Sequence, residues 1–201
     1  MYTSYKSFNN YKEKCRDCSI GKTYNRVVLS DGNTINPKVL IIGEAPGKDE
    51  VEIGRPFVGK AGKLLRGTLN KYGYGDTNSC ITNILPCRPE NNKFPKDKEL
   101  VNYCVNNWLS EEIHITNPQF ILLIGSTPLY YLTGKKGITS YRGKLQVYQD
   151  RESGNEYSCM PVYHPSYVLR KMYMQAGKQI MADFENDIKE LAKMGGFYAD
   201  K

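Results

Sequence analysis

Two short apolar runs and a β-rich run between them, each followed by a turn residue, constrain this chain more than any other feature. "KVLIIGEAPG" (38–47) is apolar from Val39 to Ile42 and breaks at a glycine turn. "SCITNIL" (79–85) is rich in β-formers, and "QFILLIG" (119–125) repeats the first pattern. Unbroken apolarity at strand length marks strands covered on both faces, as in a parallel sheet. Helical stretches alternate with them: "AGKLLRGTLNKYG" (61–73), the short "STPLYYLTG", and "KDKELVNYCVNNWLSEEIHI" (96–115) with Leu100, Cys104, Trp108 and Ile113 along one side. "KLQVYQ" and "EYSCMPVYH" predict two further strands around a charged turn, and "AGKQIMADFENDIKELAKMG" an amphipathic closing helix. Strands alternating with helices predict an α/β fold with a mainly parallel sheet. With no internal repeat or linker, the 201 residues (1–201) are expected to form a single domain.

The N-terminus, "MYTSYKSFNNYKEKCRDC", lacks the apolar stretch of a signal peptide, and "VLII" and "FILLI" are too short to cross a bilayer. A reducing, cytoplasmic setting without membrane attachment is therefore expected. There, six cysteines are metal ligands, reactive thiols or core residues rather than a disulfide framework. A formal charge of +7 leans toward a polyanionic partner.

"GRPFVGKAG" (54–62) has the spacing of a nucleotide-binding loop through Lys60, but Ala61 stands where a hydroxyl for Mg²⁺ is needed. Such a loop must also follow its strand directly, whereas Gly54 lies eleven residues beyond Gly43. ATP hydrolysis is thereby disfavoured. The turn that does follow the strand is "GEAPG", and open α/β sheets place ligands at such carboxyl ends.

Cys15 and Cys18 form a C-x2-C clip, and Cys87 and Cys104 follow as C-x16-C. Four thiolates suit zinc or an iron–sulfur cluster; the alternative is that Cys104 is a buried core thiol and Cys87 incidental. Spacing favours a metal over none and leaves its identity open.

Four segments in order, "GEAPG", "GRPFVGKAGKLL", "TNILPCRPENNKFP" and "VYHPSYVLR", resemble the signature segments of the fourth family of uracil-DNA glycosylases, the iron–sulfur type. The resemblance runs from Cys15 to about Arg170. It implies a three-layer α/β/α fold with a four-stranded central sheet and a [4Fe–4S] cluster on Cys15, Cys18, Cys87 and Cys104. It also implies a base pocket built by the glycine turn (Gly43, Ala45, Gly47) and by Phe57, which stacks on a base flipped out of DNA. Lys60 is then placed near DNA.

Breaking an N-glycosidic bond develops positive charge on the sugar and negative charge on the departing base. Asn83, at a strand end, can present both donor and acceptor to uracil N3 and O4. His164, in "YHPS", is expected to hydrogen-bond O2 as charge builds there. Glu44 is the candidate for orienting water or stabilising the sugar cation. Ala45 stands where better-known uracil glycosylases carry an aspartate. Ser166 and Arg170 are candidate DNA contacts, and His114 is expected to be an exposed structural residue. Gly47 replaces the tyrosine that rejects 5-substituted pyrimidines in strict uracil enzymes, so that exclusion falls to other residues such as Glu50 or Glu52. The segment "KMYMQAGKQIM" after Arg170 is longer and more aromatic than the family resemblance implies.

The expected activity is monofunctional release of uracil from DNA, since no motif carries an evident Schiff-base lysine. The partner is DNA containing uracil or a modified pyrimidine, and a monomer is expected. Two alternatives stand beside it: the same chemistry on a 5-substituted pyrimidine of viral DNA, and a non-catalytic iron–sulfur DNA-binding module.

Overall fold

The computed structural model describes residues 4–23, 26–150, 153–196 and 198. In chain order these form α1 (Tyr5–Lys12), α2 (Ser19–Thr23), β1 (Asp31–Gly32), β2 (Val39–Gly43), α3 (Lys48–Ile53), α4 (Lys60–Lys71) and β3 (Ser79–Asn83). A short 3₁₀ turn (Glu90–Asn92) leads to α5 (Lys98–Cys104), a π-helical turn (Val105–Leu109) and α6 (Ser110–Thr116). Then come β4 (Phe120–Ile124), α7 (Ser126–Thr133), α8 (Ile138–Tyr141), β5 (Gln146–Gln149), β6 (Glu156–Val162), α9 (Pro165–Lys171) and α10 (Gly177–Met194).

One sheet has the order β1-β3-β2-β4-β6-β5. The expected four-stranded sheet is thus corrected to six strands. Its four central members, β3-β2-β4-β6, are parallel, while β1 and β5 add antiparallel edges. β5 matches a predicted strand. β1 is only two residues long and pairs through its backbone, which leaves no pattern in the sequence.

Because side chains alternate along a strand, each central strand feeds two cores. Leu40, Ile42, Ile121 and Leu123 face Phe8, Val101, Trp108, Leu109 and Ile113 from α1, α5, the π turn and α6. Val39, Ile41, Leu122 and Ile124 face Leu65 and Leu69 of α4 and Phe184, Ile188 and Leu191 of α10. Three layers result, as the alternation of strands and helices predicts. Among the described residues no helix is long and apolar enough to cross a membrane.

The predicted helix 96–115 is interrupted. Asp97 caps its start by accepting from the amides of Glu99 and Leu100 at 3.0 and 3.2 Å. The face-setting residues step by four from Leu100 to Cys104 to Trp108, then by five to Ile113, and the π turn accommodates the longer step.

One carboxylate organises the first core. Glu112, fully buried, accepts from Lys12 Nζ at 2.7 Å, Tyr5 Oη at 2.7 Å and Thr82 Oγ1 at 3.0 Å, and also from the Ser30 hydroxyl. Burial alone would raise its pKa, but Lys12 and the hydroxyls outweigh that and hold it below the ordinary carboxylate value. The polar N-terminal segment is therefore ordered as α1 by one apolar anchor, Phe8, and one buried ion pair.

Candidate active site

All four parallel strands end at one cleft of about 1000 Å³, the position where open α/β sheets place ligands. β2 delivers Gly43 and the turn Glu44–Gly47. β3 delivers Asn83, which lies level with Gly43 in the sheet register. β4 leads into Gly125 and Thr127, and β6 into Tyr163 and His164.

Gly43 lies beneath the cleft where two groups converge on its α-carbon. A Cβ there would stand 2.4 Å from Asn83 Oδ1 and 2.5 Å from Phe57 Cζ, so only glycine lets the ring and the amide meet. Asn83 and Phe57 are both largely buried. Phe57 has φ of +54°, a left-handed conformation that costs a bulky residue on the order of 1–3 kcal/mol. Its surroundings enforce it. Arg66 of α4 donates from Nε to the Phe57 carbonyl at 3.0 Å and from Nη2 to the Pro56 carbonyl at 2.8 Å. Asp31 of β1 accepts from Arg66 at 2.6 Å and from Arg55 at 2.8 Å. Gly62 removes the last obstacle, since a Cβ there would lie 2.1 Å from the Phe57 carbonyl carbon.

The amides of the apparent nucleotide loop are already occupied. Glu50 Oε1 accepts from the backbone amides of Val58 and Gly59, each at 3.1 Å, and Oε2 from Gly47 at 3.0 Å. A side chain thus takes the place a phosphate would need and staples the Gly47 turn to the Phe57 loop. The carboxylate proposed from sequence to police the base's 5-position is committed to this staple, and Glu52 is exposed. A Cβ on Gly47 would meet Glu50 Oε2 at 2.6 Å, so a tyrosine at 47 would have to displace the staple.

His164 caps α9. Its Nδ1 accepts from the Ser166 amide at 3.1 Å and lies 2.7 Å from Ser166 Oγ, which in turn accepts from Arg170 Nη1 at 3.3 Å. With Nδ1 accepting, the neutral ring carries its proton on Nε2. Burial, assisted by the charge of Arg170, pulls the imidazole pKa down from 6.5 to about 4. The ring centroids of Phe57 and His164 are 6.3 Å apart. Also lining the cleft, Glu44 Oε2 accepts from Thr127 Oγ1 at 2.5 Å.

Cys15, Cys18, Cys87 and Cys104 line one small apolar cavity with Ile20, Leu85, Pro86, Leu100 and Tyr103. All four thiols are free, and burial pushes those of Cys87 and Cys104 up to about 12. The buried Trp108 Nε1–H has no hydrogen-bond partner among the described residues and lies near Cys15, whose thiol burial pushes up. Four thiols around one apolar cavity have the donor chemistry that a sulfur-rich anionic cluster needs. Among the described residues no group of three or more His, Cys, Asp or Glu side chains is arranged to hold a metal ion. Cys80 and Cys159 lie elsewhere, buried within the first core.

Residues 29–189 match the Uracil DNA glycosylase superfamily. A type-4 uracil-DNA glycosylase of Thermotoga maritima is 34% identical over 185 residues, covering 91% of this chain and 92% of that protein. The chain belongs to the type-4 family of that superfamily. Type-4 uracil-DNA glycosylases of Archaeoglobus fulgidus (33% identical, 90% of this chain and 88% of that protein) and Pyrobaculum aerophilum (37%, 79% and 81%) agree with this placement.

Of the non-cysteine residues singled out from sequence, the structure brings Glu44, Ala45, Gly47, Phe57, Lys60, Asn83, His164, Ser166 and Arg170 to the lining of the one cleft, with Gly43 just beneath. Lys60 opens α4 and is exposed, and His114 is exposed on α6, far from any role here. Sequence reasoning missed Thr127, Arg66 and the staple by Glu50. Thr127 carried a signal, because "GST" follows the second apolar run as "GEAPG" follows the first. Arg66 carried none, since its partner Asp31 is 35 residues away.

Proposed function

We propose that this chain is a monofunctional DNA glycosylase that hydrolyses the N-glycosidic bond of uracil extruded from DNA, leaving an abasic site. The single observation that supports it most is the meeting of Phe57 and Asn83 over Gly43, with the His164 ring 6.3 Å from that of Phe57 in the same cleft. Family membership and the type-4 relatives support the same reading.

In this reading the flipped base stacks on Phe57, and Asn83 presents its amide to uracil N3 and O4. Water attacks C1′ as the C1′–N1 bond breaks, and the bonding pair leaves with the base, its charge shared onto O2. His164 Nε2–H donates to that oxygen. The low imidazole pKa keeps the ring neutral, so His164 stabilises charge without surrendering a proton to the base. Glu44, held by Thr127, orients the water and faces the cationic sugar. One proton of water stays on the new C1′ hydroxyl and the other neutralises the departing uracil. Ser166, Arg170 and Lys60 contact the DNA backbone.

Cys15, Cys18, Cys87 and Cys104 are the residues that would hold a [4Fe–4S] cluster. Bound there, it would tie the N-terminal arm to the loop after β3 and to α5. The chain works as a single-domain monomer on DNA in the cell interior.

The test is base release from labelled oligonucleotides carrying U:G, U:A, single-stranded U, T:G and 5-hydroxymethylpyrimidines. Uracil release is expected, with His164→Ala slower by about 10²–10³. Asn83→Asp should relax discrimination against cytosine. Silence from a cluster-loaded protein would overturn the assignment in favour of a binding module. Anaerobically purified protein should be brown with equal iron and sulfide, and colourless protein with stoichiometric zinc would sink the cluster. The bare α-carbon of Gly47 at the cleft favours a second reading, tolerance of 5-substituted pyrimidines, which the same panel decides.

A further inference from the structure

Beyond Arg170, which lines the cleft, α9 ends and the chain makes a tight turn into α10. That turn shows an unusual surface. Tyr173 is 89% exposed, and its neighbours Met172 and Met174 are 37% and 55% exposed. Three consecutive apolar side chains in water carry a cost in hydration that a solvated loop would avoid with polar residues. The turn is not slack. Met174 N–H donates to the Lys171 carbonyl at 2.8 Å, and Gly177 N–H to the Met174 carbonyl at 2.8 Å. Gly177 is buried against the turn, where a Cβ would lie 2.4 Å from the Lys171 carbonyl oxygen and 2.5 Å from that of Met172. The backbone is therefore built to hold Tyr173 outward.

Its neighbours say what it faces. Arg170 and Lys171 precede it, and the exposed Lys178 follows at the start of α10. An aromatic ring flanked by cations, three residues from a cleft-lining arginine, has the composition of a nucleobase platform: cations track phosphates while a base stacks on the ring. A bilayer would demand a broader apolar face, and a protein partner would not call for continuity with the cleft through Arg170.

We propose that Tyr173, steadied by the Gly177 turn, is a stacking platform for a base of the DNA strand flanking the extruded nucleotide. This rests on the glycosylase reading for its location, but not for its test. Tyr173 lies outside the four signature segments, in a stretch that is longer and more aromatic than the family resemblance implies.

The experiment measures binding of uncleavable single-stranded oligonucleotides, carrying a 2′-fluoro-deoxyuridine, by fluorescence anisotropy, with uracil release followed in parallel. Tyr173→Ala should weaken binding by roughly 5- to 150-fold, the range for one lost stacking contact. Tyr173→Phe and Tyr173→Trp should retain it, and the tryptophan's fluorescence should be quenched on DNA addition. Thermal stability of Tyr173→Ala should match wild type, because the side chain is almost wholly in solvent. Unchanged binding by Tyr173→Ala, or equal weakening by Tyr173→Phe, would overturn the platform. A wild type that binds in a Tyr173-dependent way yet releases no uracil would instead overturn the glycosylase reading and leave the platform standing.

Discussion

Glu50→Gln is the substitution that most directly tests how the cleft is assembled. The carboxylate accepts three backbone amides, two at Oε1 and one at Oε2, from loops on either side of α3. Glutamine keeps one oxygen. If that oxygen serves Val58 and Gly59, the amide nitrogen must face the Gly47 N–H, donor against donor. One charge-assisted bond is then lost and two become neutral, together about 2–4 kcal/mol after allowing for partial exposure. For a chain of this size that corresponds to a fall in Tm of about 5–15 °C. The rate should suffer separately, because the staple sets Gly47 and its turn against the loop of Phe57, and a displacement near 1 Å can cost about 10²-fold. The assay is differential scanning calorimetry beside uracil release, with exposed Glu52→Gln as the comparison. A Glu50→Gln protein that melts within a degree or two of wild type at unchanged kcat/KM would refute the argument, as would an equal effect from Glu52→Gln.

Three further outcomes follow from the geometry. Gly62→Ala should abolish most uracil release, since its Cβ would stand 2.1 Å from Phe57 backbone atoms, whereas Gly67→Ala on the same helix meets nothing within 4 Å and should be neutral or slightly stabilising by calorimetry. The release rate should hold level from neutral pH down and fall only as His164 protonates near its pKa of about 4. With the folded value depressed below the ordinary 6.5, the unfolded state takes up the proton first, so His164's contribution to stability is intact above about 6.5 and lost as pH drops toward 4. Urea titration of wild type and His164→Gln across that window would expose the difference. Lys12→Met leaves Glu112 buried without its cation and should cost about 3–5 kcal/mol by urea unfolding, with Lys12→Met/Glu112→Gln recovering part of it.

The parallel centre of the fold was legible because β2 and β4, covered on both faces, read as unbroken apolarity, while β3, equally buried but half polar, declared itself through its β-formers. β1 was not, because two residues pairing by backbone leave no trace in side-chain chemistry. α2, α3 and α8 are too short for a helical period to declare itself. Within the cleft, Glu44 and Asn83 sit at or just past strand ends, where ligand-facing residues are expected, and His164 and Phe57 carried the family's signature. Thr127, Arg66 and Glu50 act through partners 83, 9 and 8 residues away, and such pairings exist only after folding. The cysteines showed the opposite pattern: their spacing looked uneven along the chain, yet the fold gathers them around one cavity.

The π turn at Val105–Leu109 gives this region one residue of slack in length. Removing one residue there would close the turn to an ordinary helical step and leave Glu112 and Ile113 in phase with Cys104. Adding one would instead swing everything downstream by about 100° relative to Cys104, taking Glu112 from its four donors and Ile113 from its core. Through this stretch a one-residue insertion should therefore do more harm than a one-residue deletion, and a gap of one between relatives would signal the loss of the π turn rather than a reorganised N-terminal arm.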